Sequence, residues 1–131
     1  MNDIIFTNGC FDILHIGHVE LLKYAKSLGS KLIVGLNSDN SVKLLKGNNR
    51  PINNQNDRKI ILESIQYVDE VIIFNEKTPY NLINIIKPKI IVKGGDYLPE
   101  EVVGKEISEV RIFNYVEGYS TTKTIKRITS G

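Results

Sequence analysis

Thr7-Asn8-Gly9-Cys10-Phe11-Asp12-Ile13-Leu14-His15-Ile16-Gly17-His18 is the stretch that decides the fold of this chain. The apolar run Ile4-Ile5-Phe6 before it reads as a buried strand. After it, residues 19–28 carry apolar side chains at Leu21, Leu22, Ala25 and Leu28, which mark one face of a helix. The stretch is therefore a strand-to-helix crossing with a glycine at each bend. Gly9 permits a tight turn or a close approach of backbone to ligand. Free N–H groups over a helix N-terminus suit a phosphate. His15 and His18 stand three residues apart and share one helical face if the helix has begun there. Singly, each residue has a plainer reading: Gly9 an ordinary turn, Asp12 an N-cap, a histidine a solvated or capping side chain. Their combination between a strand and a helix is much harder to reach by accident.

The same alternation continues downstream. Gly29 is a natural helix C-cap. Residues 31–37 read as a second buried strand, and 38–41 as a turn. Residues 43–51 are basic and irregular, the best candidate for a mobile loop that closes over a triphosphate. A polar run to Asn56 caps a helix over about 57–67, with Ile60, Ile61 and Ile65 expected inward. Residues 71–74 form a third strand. Thr78-Pro79 supplies an N-cap and a first-turn proline for a helix that ends before Pro88. Residues 90–92 form a fourth strand, with Lys93-Gly94-Gly95-Asp96-Tyr97 at its end, and a short acidic helix follows near Pro99. Residues 110–113 form a fifth strand. Glu117-Gly118-Tyr119-Ser120-Thr121-Thr122-Lys123 then opens a last helix carrying Ile125 and Ile128. No repeat, linker or low-complexity segment interrupts the series.

Residues 1–131 thus read as one α/β domain, doubly wound and Rossmann-like, around a five-stranded parallel sheet. Ligands of such sheets bind beyond the carboxyl ends of the strands. The polar clusters at 9–18, 37–46, 93–97 and 115–123 all fall at such ends, which points to one shared site.

Composition narrows the function further. With 17 basic and 15 acidic residues the net charge of +2 is too small to imply nucleic acid or a membrane surface as partner. The single cysteine, Cys10, excludes an internal disulfide and suits a reducing compartment. A nucleophilic role for it is not required by any chemistry below. No apolar run approaches transmembrane length, and Met-Asn-Asp leads directly into the first strand. Neither a signal peptide nor a spanning helix is expected, so the cytoplasm is the expected location.

The glycine fingerprint of dinucleotide-binding folds is absent after the first strand, and so is the Walker lysine motif. A nicotinamide enzyme or a P-loop kinase is therefore disfavoured. A helix N-terminus, two histidines, several lysines and a Ser-Thr-Thr-Lys run fit displacement at the α-phosphate of a nucleoside triphosphate. That reaction needs in-line positioning and donors aimed at developing charge more than covalent help. His15 and His18 can donate to phosphate oxygens, and Lys46 and Arg58 can neutralise charge. Ser120 and Thr121 offer further donors, with Lys123 one turn into the helix. Magnesium is expected to bridge the phosphates while keeping several waters, so no dedicated metal cage is needed. Plainer readings stand beside these: Lys43, Lys46 and Arg50 as a solvated loop, Arg58 as a surface ion-pair partner, Ser120 as an N-cap, Lys123 as a surface residue, and Gly94-Gly95-Asp96 as a turn.

The Gly-x-Phe-Asp-x-x-His-x-Gly-His element resembles the signature of the small nucleotidylyltransferases. The whole chain is similar to the bacterial heptose 1-phosphate adenylyltransferases that make ADP-heptose for lipopolysaccharide cores. Residues 34–39, Leu45-Lys46-Gly47 with Arg50-Pro51, Thr78-Pro79, Lys93 to Tyr97, and Gly118 with Ser120-Thr121-Thr122 carry the rest of that resemblance. It implies ATP and a sugar 1-phosphate as substrates, Mg2+ carried on the nucleotide phosphates, and a homodimer. It makes His15 and His18 the catalytic pair, with Lys46 on substrate phosphate and Lys123 beside them. On the nucleotide side the candidates are Gly9, Cys10, Phe11, Gly17, His18, Asp39, Arg58, Gly95, Asp96, Tyr115, Gly118, Ser120, Thr121 and Thr122. On the acceptor side they are Asp12, Lys46 and Lys93. Tyr115 stands where glycerol-3-phosphate cytidylyltransferases typically carry an arginine, and residues 101–109 form a shorter segment than is usual in the heptose enzymes. A CTP-dependent transferase on a polyol phosphate and a nucleotide-binding module without turnover are the alternative readings.

Overall fold

The computed structural model describes residues 3–95 and 97–114. Its strands are β1 Ile4–Gly9, β2 Lys31–Asn37, β3 Glu70–Phe74, β4 Ile90–Gly94 and β5 Glu109–Phe113. They form one sheet in the order β3-β2-β1-β4-β5, and every pair is parallel. The chain starts at the centre, winds outward through β2 to β3, then crosses to the other side of β1 for β4 and β5. The strand order therefore reverses between β1 and β4, which is where a doubly wound sheet opens a crevice.

Helices cover both faces. Alternation along the strands sends Ile5, Leu32, Val34, Leu36, Ile90 and Val92 to one side. There they meet Leu21, Leu22 and Ala25 of α1 (Ile16–Ser27) and Leu62 of α3 (Gln55–Glu63). Phe6, Ile33 and Ile91 point to the other side, against Ile83 of α4 (Tyr80–Ile86) and Val102. Covering on both faces is why β2 is apolar from Leu32 to Leu36 and buried at every position after Lys31. Gly35 within it has a packing reason: a Cβ there would stand 2.6 Å from the Phe6 ring.

Several expected boundaries and facings are corrected. The segment beyond β2 is a helix, α2 (Asp39–Lys46), instead of a turn and a basic loop. Ser38 caps it by accepting from the Ser41 N–H, and Val42 anchors it in the interior. Helix α3 starts at Gln55, capped by Asn54, and ends at Glu63. Its inward residues are Arg58 and Leu62, while Ile60 and Ile61 are 62% and 43% exposed. The apolar pattern misled there because this helix buries an arginine. Helix α1 begins at Ile16, earlier than its apolar face suggests, and Pro79 occupies the N-cap of α4 instead of its first turn. The acidic segment is a single 3-10 turn, Pro99–Glu101.

Candidate active site

The N-terminus of α1 is closed by its own histidines. His15 is the N-cap, with extended backbone, and its Nδ1 accepts the Gly17 N–H at 3.0 Å. His18 Nδ1 in turn accepts the His15 N–H at 3.2 Å. This is a reciprocal capping box with imidazoles in place of the usual hydroxyl and carboxylate. A neutral imidazole whose Nδ1 accepts carries its hydrogen on Nε2. The caps therefore fix the tautomer and make Nε2–H the donor that each ring can offer. The two rings lie 3.9 Å apart between centroids, and Phe11 packs 5.3 Å from His18. Phe11 reaches that place through a left-handed turn, φ 45°, which brings its ring over Gly9. A Cβ on Gly9 would sit 3.1 Å from that ring, so any larger residue there would push the ring outward.

Burial, with His15 and Lys46 adding to it, pushes the His18 imidazole down to about 3. The ring is a neutral donor throughout the physiological range. The sign of its pH effect follows: the unfolded chain protonates this histidine near 6.5, the folded chain only near 3. His18 thus opposes unfolding fully above pH 6.5, and that contribution is lost as pH falls from 6.5 toward 3. His18→Gln, whose amide can still accept the His15 N–H, should flatten the fall in Tm between pH 6.5 and 4.5. Parallel Tm curves for the variant and the wild type over that range would refute the assignment.

A cleft of about 490 Å³ opens at the β1/β4 reversal, a size suited to small-molecule ligands. It brings together Gly9, Cys10, Phe11, His18, Lys46, Lys93 and Gly95 of the expected residues. Lys93 is pushed below its ordinary range by burial, against the thiol of Cys10, and further by the charge of Lys46. Lys46 thus acts electrostatically on both His18 and Lys93, and all three residues line the cleft. His15 and Gly17 stand behind this wall and shape it through the cap.

Arg58, Asp39 and Asp12 take other roles than expected. Arg58 is fully buried, and its guanidinium donates to Asn53 O, Cys10 O, Asn37 O and Asp39 Oδ1, all at 2.8–2.9 Å. It ties the first crossing to the end of β2 and the start of α2, and Asp39 is its carboxylate partner through Oδ1. Asp12 is also buried, where it accepts the Ile52 and Asn53 N–H groups and pairs with Arg50 Nε at 3.3 Å. These bonds, with the helical state of residues 39–46, correct the expectation of a free flap over 43–51. Asp96, Tyr115, Gly118, Ser120, Thr121, Thr122 and Lys123 lie outside the described residues.

Sequence reasoning missed part of the lining. Asn8, Lys77, Thr78, Glu101, Val102 and Val103 also face the cleft, together with Asn37 and Tyr97 from the expected clusters at 37–46 and 93–97. For Asn8 a signal was present: like Asn37, it is a polar side chain at the carboxyl end of a buried strand. Among the described residues no group of three or more His, Cys, Asp or Glu side chains could hold a metal ion. The lysines, asparagines and His18 suit phosphate oxygens. Among the described residues no helix is long and apolar enough to cross a membrane.

Comparison with known proteins agrees with this geometry. The family model described as cytidylyltransferase-like matches residues 6–127. The bifunctional protein HldE of Aliarcobacter butzleri is 60% identical over 126 residues, 95% of this chain and 26% of that protein. Its counterpart in Nitratiruptor is 61% identical over 128 residues, 97% of this chain and 28% of that protein. The chain therefore spans about a quarter of the length of these relatives. A crystal structure of the lipopolysaccharide core biosynthesis protein from Thermoplasma volcanium superposes with a TM-score of 0.74 at 29% identity, covering 92% of this chain and all of that one. A pantoate-beta-alanine ligase from Francisella tularensis shares the fold, with a TM-score of 0.69 at 20% identity over 98% of this chain and 66% of that one.

Proposed function

We propose, from the premise that the chain belongs to the cytidylyltransferase-like family and is a nucleotidyltransferase, that it moves AMP from ATP onto a sugar 1-phosphate. D-glycero-β-D-manno-heptose 1-phosphate is the acceptor, and ADP-heptose and pyrophosphate are the products. The observation that carries this reading is the capped His18 lining one cleft together with Lys46 and Lys93. High identity to the HldE proteins, together with the Lys93–Tyr97 and Leu45–Pro51 motifs of the heptose enzymes, supports the choice of acceptor.

In this reaction an acceptor phosphate oxygen attacks the α-phosphorus, and the bond to the pyrophosphate oxygen breaks. His18 Nε2–H stabilises charge on the phosphorus oxygens without a proton leaving the ring, since its Nδ1 is held by the cap. Lys46 and Lys93 draw two phosphates of like charge together and hold them in line. Magnesium bound to the triphosphate supplies further neutralisation. On the same reading the protein acts in the cytoplasm as a homodimer, on small phosphorylated substrates and not on nucleic acid or membrane.

Nucleotide choice tests the reading. A buried donor or acceptor left unpaired by the wrong base costs about 1–3 kcal/mol, and each 1.4 kcal/mol is about tenfold. Tyr115 cannot supply the fork of donors of an arginine, so the contact expected of a cytidylyltransferase is lost. Pyrophosphate release with heptose 1-phosphate should favour ATP over CTP by at least about tenfold in kcat/KM. A preference for CTP, or turnover with glycerol 3-phosphate and none with a sugar 1-phosphate, would transfer the assignment to a polyol-phosphate cytidylyltransferase.

A further inference from the structure

The cleft straddles the sheet edge, and its two halves differ in chemistry. Thr7 and Gly9 share the parity of Ile5 and face α1, the side of His18 and Phe11. Asn8 shares the parity of Phe6, and Lys93 that of Ile91, so both face the α4 side. On that side the lining continues through Lys77, Thr78, Tyr97, Glu101, Val102 and Val103. Tyr97 is 47% exposed although it borders the cleft, and Lys93 Nζ stands 5.2 Å from its ring centroid. Glu101 is held by the turn it closes, with Oε1 accepting the Leu98 N–H.

We propose that this α4-side wall is the acceptor-sugar subsite, in which Tyr97 stacks on the carbon frame of the sugar and Glu101 accepts its hydroxyls, while Lys93 holds the phosphate. Lys77 and Lys93 give this wall room for one phosphate, but beyond them the Tyr97 ring offers a polyphosphate no donor and the Glu101 carboxylate repels it. A sugar 1-phosphate presents the complementary sequence of groups: one anion, an apolar ring face, and hydroxyl donors beyond. An aromatic face with a cation at its edge and a carboxylate one turn away matches that order. The nucleotide then keeps the α1 half, under the histidine cap. Tyr97 and Glu101 are specificity residues for the acceptor and stay clear of the reacting phosphorus.

This inference rests on the sugar 1-phosphate reading, and the two can fail separately. The reading is tested by wild-type turnover of heptose 1-phosphate. The wall is tested by steady-state kinetics of Tyr97→Leu, Tyr97→Phe and Glu101→Gln, using whichever phosphorylated acceptor of a panel the wild type turns over. Tyr97→Leu should raise the acceptor KM by about tenfold, the scale of an aromatic contact, and leave the ATP KM within about twofold. Tyr97→Phe keeps the ring and should behave nearly as wild type. Glu101→Gln preserves an acceptor for Leu98 but not the charge, and should raise the acceptor KM by about fivefold. A rise in the ATP KM with an unchanged acceptor KM would assign the wall to the nucleoside and overturn the proposal. Unchanged values for both substrates in Tyr97→Leu would overturn it as well.

Discussion

Replacing His18 with alanine is expected to lower kcat by about 10²- to 10³-fold, the scale for losing one donor to an oxyanion, while ATP affinity changes little. On this account the ring does two jobs, and alanine removes both: it lines the cleft as a donor, and its Nδ1 caps α1 through the His15 N–H. Loss of a cap alone costs about 0.5–2 kcal/mol of stability. His18→Glu separates the two roles. Glutamate is the ordinary third-position partner in a capping box, so it should restore the stability that alanine loses. It carries no donor and adds a negative charge beside phosphate, so the rate should stay low. Turnover near wild type in either variant would remove His18 from the chemistry. Because the imidazole is neutral down to about pH 3, the wild-type kcat should also show no acid limb near pH 6.5 from this residue.

Arg58→Met is expected to give the largest loss of stability. The side chain is of similar length and remains apolar, but three backbone carbonyls and the Asp39 carboxylate lose their donor. Each buried acceptor left without its donor costs about 1–3 kcal/mol, so three carbonyls together lose a large share of the roughly 5–15 kcal/mol that holds a domain together. Thermal melts should show Tm lower by roughly 10–20 °C. Arg58→Lys should recover little, because a single ammonium cannot reach four acceptors in four directions. A fall of less than about 3 °C for Arg58→Met would show that the network is dispensable and that Arg58 is held there for another reason.

These two residues also mark the limit of what the sequence discloses. The strand-to-helix crossing at 7–18 was legible because glycine, histidine and apolar periodicity occur together there. The parallel sheet followed from strands and helices alternating along the chain, and the strand-end rule brought Lys46 and Lys93 to the same cleft. Arg58 was not legible as a core residue. Periodicity weighs apolar side chains, and α3 offers Ile60 and Ile61 to solvent while burying an arginine whose partners lie 5 to 48 residues away. Asp12 was misplaced for the same reason: its partners at Ile52 and Asn53 depend on a tertiary approach that no local pattern encodes. Helix α2 was hidden by its lysines and the glycine after it, although Ser38 followed by Asp39 at the end of a buried strand is an adequate start signal.

Product analysis tests the central claim most directly. The protein is incubated with ATP, magnesium and D-glycero-β-D-manno-heptose 1-phosphate, and the nucleotide products are resolved by mass spectrometry alongside a pyrophosphate assay. The expected result is ADP-heptose and pyrophosphate in equal amounts, both suppressed by about 10²-fold or more in His18→Ala. Pyrophosphate without a sugar nucleotide, or a CDP-linked product formed in preference from CTP with a polyol phosphate, would contradict it.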